Sequence, residues 1–214
     1  MKNNVWHDDY WLMLMQAYLK KPVGIKPTYS RMMVQLSQEL HIHPTELHRR
    51  MQQIAQLKTP RIERIRATYE NSPKRLERAI SLLRSMKGFG AADDFYEGVE
   101  MQETFELDFR PLPDDERFMP ASLIIILDLY FQLTPATMVT ATPEVAEMAR
   151  LLKLKPKDIV EVLSVFQICD PYLERNEVTF SPLLMPCQQV WQRMAALEPQ
   201  QLNKLAEELK EFFK

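Results

Sequence analysis

The sequence predicts a mostly α-helical fold with at most short β-strands. Only four of the 214 residues are glycine, whereas residues with high helix propensity such as Leu, Met, Gln, Glu, Lys and Arg are abundant. In addition, residues 10–62 and 122–174 align without a gap at an offset of 112, and their apolar positions agree almost everywhere. An internal repeat of one helical unit is therefore predicted.

The first helix of each copy is expected to pack against the rest of its unit. In copy one it begins after Asp8 or Asp9, whose carboxylates can accept hydrogen bonds from first-turn amides, and it runs to about Lys21. In copy two its counterpart is the stretch from Leu123 to Leu133, which is apolar nearly all round. A helix without a polar face is predicted to be buried centrally.

The second and third helices of each copy are predicted to meet at a tight turn. Ser30 and Thr142 occupy equivalent positions, and each can cap the second helix. The third helix spans roughly 44–57 and 156–168, and it begins at a proline in both copies because the missing N–H is not needed there. Apolar residues four apart on both helices allow them to cross over one small core.

This pattern resembles the helix-turn-helix and winged-helix superfamily of DNA-binding domains. The matching positions are a small residue in the second helix, an apolar residue in the turn and an apolar residue in the third helix: Ser37, Ile42 and Leu47 in copy one, and Ala149, Leu154 and Ile159 in copy two. The superfamily usually has glycine in the turn, where this chain has His41 and Lys153. The resemblance implies tandem helix-turn-helix, winged-helix-like three-helix units with extra helices, and it implies a binding function.

The remaining segments complete a predicted division into four parts. Residues 1–88 form a basic helix-turn-helix unit with two added helices, and residues 89–117 form an acidic linker. Residues 118–183 form the second helix-turn-helix unit, and residues 184–214 form C-terminal helices.

Two short segments show the alternation of apolar and polar residues that is typical of a half-buried strand. One lies in the linker at Phe105, Leu107 and Phe109, and the other follows the second copy at Val178 and Phe180. The two segments could be wing strands or could pair with each other.

Charge is divided unevenly along the chain. The formal net charge of −2 is the sum of +9 over residues 1–90 and −11 over residues 91–214, and ten acidic residues lie between positions 93 and 116. A basic half indicates a polyanionic partner, here double-stranded DNA bound through residues 1–90, or it indicates attraction between the two halves. The acidic linker could also cover the basic face and mask it.

The third helix of copy one is the predicted DNA-binding element of a regulatory protein. Arginine can pair with guanine and glutamine with adenine in the major groove, and further cations suit phosphates. The predicted DNA-binding residues are Thr45, His48, Arg49, Arg50, Gln52, Gln53, Lys58, Arg61 and Arg64, with added basic charge from Arg66, Lys74, Arg75 and Arg78. The alternative is that these side chains only solvate a helix.

The equivalent helix of copy two is expected to expose Lys157, Asp158, Glu161 and Ser164. Because two carboxylates would repel a phosphate backbone, residues 118–214 are expected to form a homodimer or contact a protein partner. The alternative function for the whole chain is a protein–protein interaction or scaffold protein that reuses the helix-turn-helix fold without binding nucleic acid.

No motif in the sequence indicates catalysis, a cofactor or a metal. There is no glycine-rich phosphate loop, nucleophile elbow or His-Glu-x-x-His pattern. His41, His43 and His48 lie close together, but no nearby cysteine completes a usual zinc set. Of the two cysteines, Cys169 and Cys187, the first aligns with a leucine and should lie in the core.

Without a signal peptide or a transmembrane-length apolar run, we expect a cytoplasmic, non-enzymatic protein that does not enter a membrane.

Overall fold

The computed structural model describes residues 6–86, 89, 105–173 and 181–214, and all regular structure within these ranges is helical. The prediction of a mostly α fold is therefore confirmed. The chain divides into two units, Met1–Thr104 and Phe105–Lys214. No helix within the described ranges is long and apolar enough to cross a membrane.

In the described part of the first unit, helix α1 packs against each of the other helices. Six of its ten residues are buried, as expected for a helix that has no continuous polar side. Proline opens α3, α4 and α5, at the position where its missing N–H costs no hydrogen bond. The helices are α1 (Tyr10–Leu19), α2 (Arg31–Leu40), α3 (Pro44–Ala55), α4 (Pro60–Tyr69) and α5 (Pro73–Ser85).

The second unit is built around helix α7. All ten residues from Ala121 to Tyr130 are buried, so the expectation of a central helix for this apolar stretch is confirmed. Helix α7 packs against each of the other described helices of this unit. The helices are α6 (Phe105–Asp108), α7 (Pro120–Gln132), α8 (Pro143–Leu152), α9 (Pro156–Cys169), α10 (Leu184–Met194) and α11 (Pro199–Lys210).

The strand predicted at Phe105, Leu107 and Phe109 is wrong. This segment begins with the single helical turn α6, in which Leu107 is exposed and Phe109, just after it, is buried. Phe105 and Phe109 are four residues apart, so a helical turn places them on one side as readily as a strand does. The other predicted strand, at Val178 and Phe180, lies outside the described residues.

The hydroxyls of Ser30 and Thr142 precede α2 and α8 as predicted, but neither caps its helix. The Ser30 hydroxyl is buried and has no hydrogen-bond partner in the described part of the chain. The Thr142 hydroxyl donates to the Thr137 carbonyl at 2.5 Å and therefore does not reach a helix amide. The side chains of His43 and Thr59 do cap helices, α3 and α4 respectively.

The turn that joins the second and third helices has the same backbone geometry in both units. Helices α2 and α8 are ten residues long and begin at positions that differ by the repeat offset. Each is followed by a residue in the left-handed region, His41 with a φ of 53° and Lys153 with a φ of 58°. The next amide donates to the carbonyl five residues earlier, at 3.1 Å in the first unit and 2.8 Å in the second. Both turns are Schellman endings, made here without glycine.

Candidate nucleic-acid interface

Helix α3 has a buried apolar side and an exposed polar side. Leu47, Met51 and Ile54 are fully buried in the core of the first unit, where α3 packs against α1 and α2. Their spacing of four and three residues leaves the polar side chains on the other side of the helix. Of the predicted DNA-binding residues in α3, the exposed ones are Thr45, Arg49 and Gln52, and the partly buried ones are His48, Arg50 and Gln53.

The first turn of α3 is ordered by His43. The Thr45 amide donates to His43 Nδ1 at 3.3 Å, and the Thr45 hydroxyl lies 2.8 Å from the same nitrogen. Because Nδ1 accepts from the backbone, this ring serves as a helix cap. The Thr45 hydroxyl is thus exposed but engaged locally, and a ligand would compete with the cap for it.

Glu46 joins the two arginines of α3. Arg49 donates to its carboxylate through Nε and Nη2, both at 2.8 Å, and Arg50 donates through Nε at 2.8 Å. The hydrogen bond from Arg49, supported by the charges of both arginines, holds the pKa of Glu46 below its ordinary value against the opposing effect of burial. The Arg49 side chain is nevertheless 64% exposed, so its guanidinium remains accessible to a further anion.

Arg50 connects α3 to two tryptophans, Trp6 just before α1 and Trp11 within it. Its Cζ lies 4.1 Å from the centroid of the Trp6 ring and 5.8 Å from that of Trp11. The side chain is only 22% exposed. Cation–π contacts contribute roughly 0.5–2 kcal/mol, more when the pair is shielded from water. Of the two neighbouring arginines, Arg49 is therefore the accessible one and Arg50 has a structural contact.

Exposed cations continue from α3 onto α4 and α5. Residues 44–85 carry ten Lys and Arg against four Glu, so carboxylates on these helices cannot neutralise all of the cations. Arg61 forms an ion pair with Asp8 at 2.6 Å. Of the exposed cations in residues 44–85, all of which the structure describes, five have no carboxylate partner: Lys58, Arg64, Lys74, Arg75 and Arg78.

An open cleft of about 380 Å³ runs along α4. Arg75 of α5 lies beside it, with its Cζ 5.8 Å from the centroid of the Tyr69 ring. Arginines next to an aromatic ring suit a phosphate and the sugar or base attached to it. The sequence analysis predicted Arg61 and Arg64 of this cleft as DNA-binding residues but did not identify Tyr69. The lining residues are Arg61, Arg64, Ile65, Thr68 and Tyr69.

The second unit differs at the equivalent helix, α9. The prediction that Asp158 is an exposed carboxylate is wrong, because its side chain is buried and accepts hydrogen bonds from Arg117 at 2.7 Å and from the Lys155 amide at 2.9 Å. Arg117 also pairs with Asp115 at 2.6 Å and lies 3.9 Å from Glu161. Helix α9 is packed by α7, α8 and α10, and its exposed residues are Lys157, Glu161 and Ser164.

Within the described residues, no group of three or more His, Cys, Asp or Glu side chains could hold a metal ion. Burial raises the pKa of the Cys169 thiol to about 11 and raises that of Cys187 further, so neither is a thiolate at neutral pH. Cys169 is only partly buried, whereas Cys187 is fully buried. Burial also raises the pKa of Asp128, although Asn203 and Gln132 donate hydrogen bonds to it.

Comparison of the chain with protein-family models, curated proteins and solved structures found no match. The function therefore has to be inferred from the geometry of the unit itself. That geometry combines a polar α3 surface bearing Arg49 and Gln52 with unneutralised cations on the two following helices.

Proposed function

We propose that the first unit binds double-stranded DNA and that the protein acts as a regulator without catalytic activity. The observation that carries the proposal is the surplus of exposed cations in residues 44–85, from α3 to α5, five of which have no carboxylate partner among the described residues. Such cations keep their full attraction for phosphates, and neutralising phosphates releases condensed counterions from DNA.

Helix α3 is the element that would enter the major groove. Its 12 residues correspond to a rod of about 18 Å, and the groove admits one α-helix. Arg49 and Gln52 lie on its exposed side and can contact guanine and adenine respectively. Arg64, Arg75 and the cleft along α4 would contact the phosphate backbone and fix the register of α3.

The experiment is a fluorescence-anisotropy titration of short random-sequence duplex DNA with the full chain. The test variant is Arg75→Gln/Arg78→Gln, and the matched control is Lys20→Gln/Lys21→Gln, which removes two exposed cations of the same unit that are not part of α3, α4 or α5. The salt slope is the slope of log affinity against log salt concentration, and loss of two phosphate contacts should make it shallower by about 1.8. The affinity change between about 50 and 200 mM salt then becomes roughly 12-fold smaller.

The control variant should keep the wild-type slope. If both double variants lower the slope equally, diffuse charge attracts the DNA and no interface on α4 and α5 exists. If the wild type does not bind at the lower salt concentration, the proposal fails.

Base recognition by α3 needs a separate variant. After selection of a preferred sequence, Arg49→Ala/Gln52→Ala should weaken binding to it by roughly 1–3 kcal/mol for each lost base contact, with little effect on random DNA. Equal weakening on both DNAs would show that these residues contact only the backbone. Arg50 is kept unchanged in this experiment because it stacks on Trp6.

A protein-binding function without nucleic acid is the second candidate. Leu82 is 69% exposed and Met86 is 57% exposed, and the two residues are one helical turn apart at the end of α5. Apolar side chains beside cations suit a partner that is both acidic and apolar, including a second copy of the chain. Mass photometry showing an oligomer that Leu82→Ser/Met86→Ser dissociates, with no DNA binding by the wild type, would favour this function.

A further inference from the structure

Four exposed cations lie at the turn between α8 and α9, within the half of the chain that has a net charge of −11. Residues 150–157 contain no acidic residue. In the described part of the chain, none of the four has an ion-pair partner. We name them the α8–α9 turn cations: Arg150, Lys153, Lys155 and Lys157.

The nearest carboxylate in the sequence does not neutralise this cluster. Asp158 follows Lys157 directly, but it is only 4% exposed and its oxygens are taken by Arg117 and by the Lys155 amide. Glu161, one turn further along α9, lies 3.9 Å from the same arginine. Both carboxylates of α9 therefore interact with Arg117, and neither forms an ion pair with the lysine side chains of the turn.

The backbone of the turn keeps these side chains at the surface. Lys153 occupies the left-handed position of the Schellman ending, so it lies outside both helices. Lys155 and Lys157 lie on either side of Pro156, which opens α9, and both are exposed. The first unit has no lysine or arginine at the four equivalent positions, which are Gln38, His41, His43 and Thr45.

We infer that the α8–α9 turn is a second nucleic-acid contact, which binds phosphates of the sugar–phosphate backbone. Exposed lysines act as point charges towards phosphate and carry no base-edge recognition, so the contact is independent of sequence. This inference rests on the proposed function only for the choice of nucleic acid as the polyanion, since it uses residues of the other unit.

The test compares two double variants of the full chain in the same anisotropy assay. Lys155→Gln/Lys157→Gln removes two of the turn cations, and Lys204→Gln/Lys214→Gln removes two exposed cations from the C-terminal end of the same unit. The turn variant should lower the salt slope by up to about 1.8, or roughly 12-fold in the affinity change between about 50 and 200 mM salt. The control variant should leave the slope unchanged.

The outcomes separate this inference from the proposed function. Binding that is weakened by Arg75→Gln/Arg78→Gln but not by the turn variant keeps the first unit as the DNA-binding element and overturns the inference. Binding that is weakened by the turn variant but not by Arg75→Gln/Arg78→Gln supports the contact at the turn and overturns phosphate binding by α4 and α5. Absence of binding by the wild type overturns both.

A second measurement on the wild-type protein does not depend on how a variant folds. Lysine acetylation is quantified by mass spectrometry with and without saturating duplex DNA. DNA should slow acetylation of Lys155 and Lys157 several-fold and leave Lys204 unaffected. If bound DNA changes the acetylation rates of all three lysines equally, or changes none of them, the turn does not contact it.

Discussion

Replacement of His41 by glycine, compared with replacement by alanine, isolates the cost of the left-handed turn in the first unit. His41 has a φ of 53° and a ψ of 38°, and its amide donates to the Ser37 carbonyl. Both variants remove the imidazole and every contact it makes. Any difference between them therefore comes from the backbone at this one position.

The magnitude follows from two opposing backbone effects. An L-residue in the left-handed region costs about 1–2 kcal/mol, and glycine does not have this cost. Glycine also gives the unfolded chain more freedom, which costs about 0.4–1 kcal/mol relative to alanine. We therefore expect His41→Gly to be more stable than His41→Ala by about 1 kcal/mol.

The assay is urea unfolding followed by tryptophan fluorescence in a Trp191→Phe background. The remaining tryptophans, Trp6 and Trp11, both belong to the first unit, so the signal reports on that unit alone. The matched control is Gln35, an exposed position inside α2. There the order should reverse, with alanine more stable than glycine by about 1 kcal/mol.

A reversal of sign between the two positions is the expected result. If alanine is the more stable residue at His41 as well as at Gln35, the turn does not hold a left-handed residue. The equivalence between the two turns would then be lost, and with it the structural support for the repeat.

Three further results are expected. Hydrogen bonds from Arg117 hold the pKa of Asp115 below its ordinary value, so the pair stabilises the fold above about pH 4 and this stabilisation is lost as the pH falls below that. Urea midpoints measured at about pH 3 and pH 5 should therefore differ less in Asp115→Asn than in the wild type. Arg50→Lys should destabilise the first unit by about 1 kcal/mol in urea unfolding, because the ammonium group of lysine cannot stack on Trp6 as the flat guanidinium of arginine does, and an unchanged midpoint would remove the anchoring role. Phe166→Ala should cost roughly 3–5 kcal/mol in calorimetric unfolding, since this ring is fully buried, whereas a loss below about 1 kcal/mol would contradict its central position.

The helices could be predicted from the sequence because their signals are local. Proline at the first helical position marked the start of α3 and α9, and the all-apolar character of α7 indicated its central burial. The segment at Phe105 was assigned to a strand because so few residues cannot separate a period of two from a helical turn. The capping role given to Thr142 was wrong because its hydroxyl is bonded to the Thr137 carbonyl instead.

The candidate interface could be predicted only where it depends on helical spacing. The exposure of Arg49 and Gln52 follows from the buried positions three and four residues apart in α3. The stacking of Arg50 on Trp6 and the burial of Asp158 by Arg117 join residues far apart in the sequence. Such contacts are set by tertiary packing, and they decide which charges remain available to a ligand.

DNA binding by the first unit is tested most directly by the affinity of the wild-type chain for duplex DNA at two salt concentrations. If the five unpaired cations of the first unit each neutralise one phosphate, they contribute about −4.5 to the salt slope, and affinity should fall at least roughly 500-fold between about 50 and 200 mM salt. A salt slope near zero, or no binding at the lower salt concentration, would contradict the proposed interface.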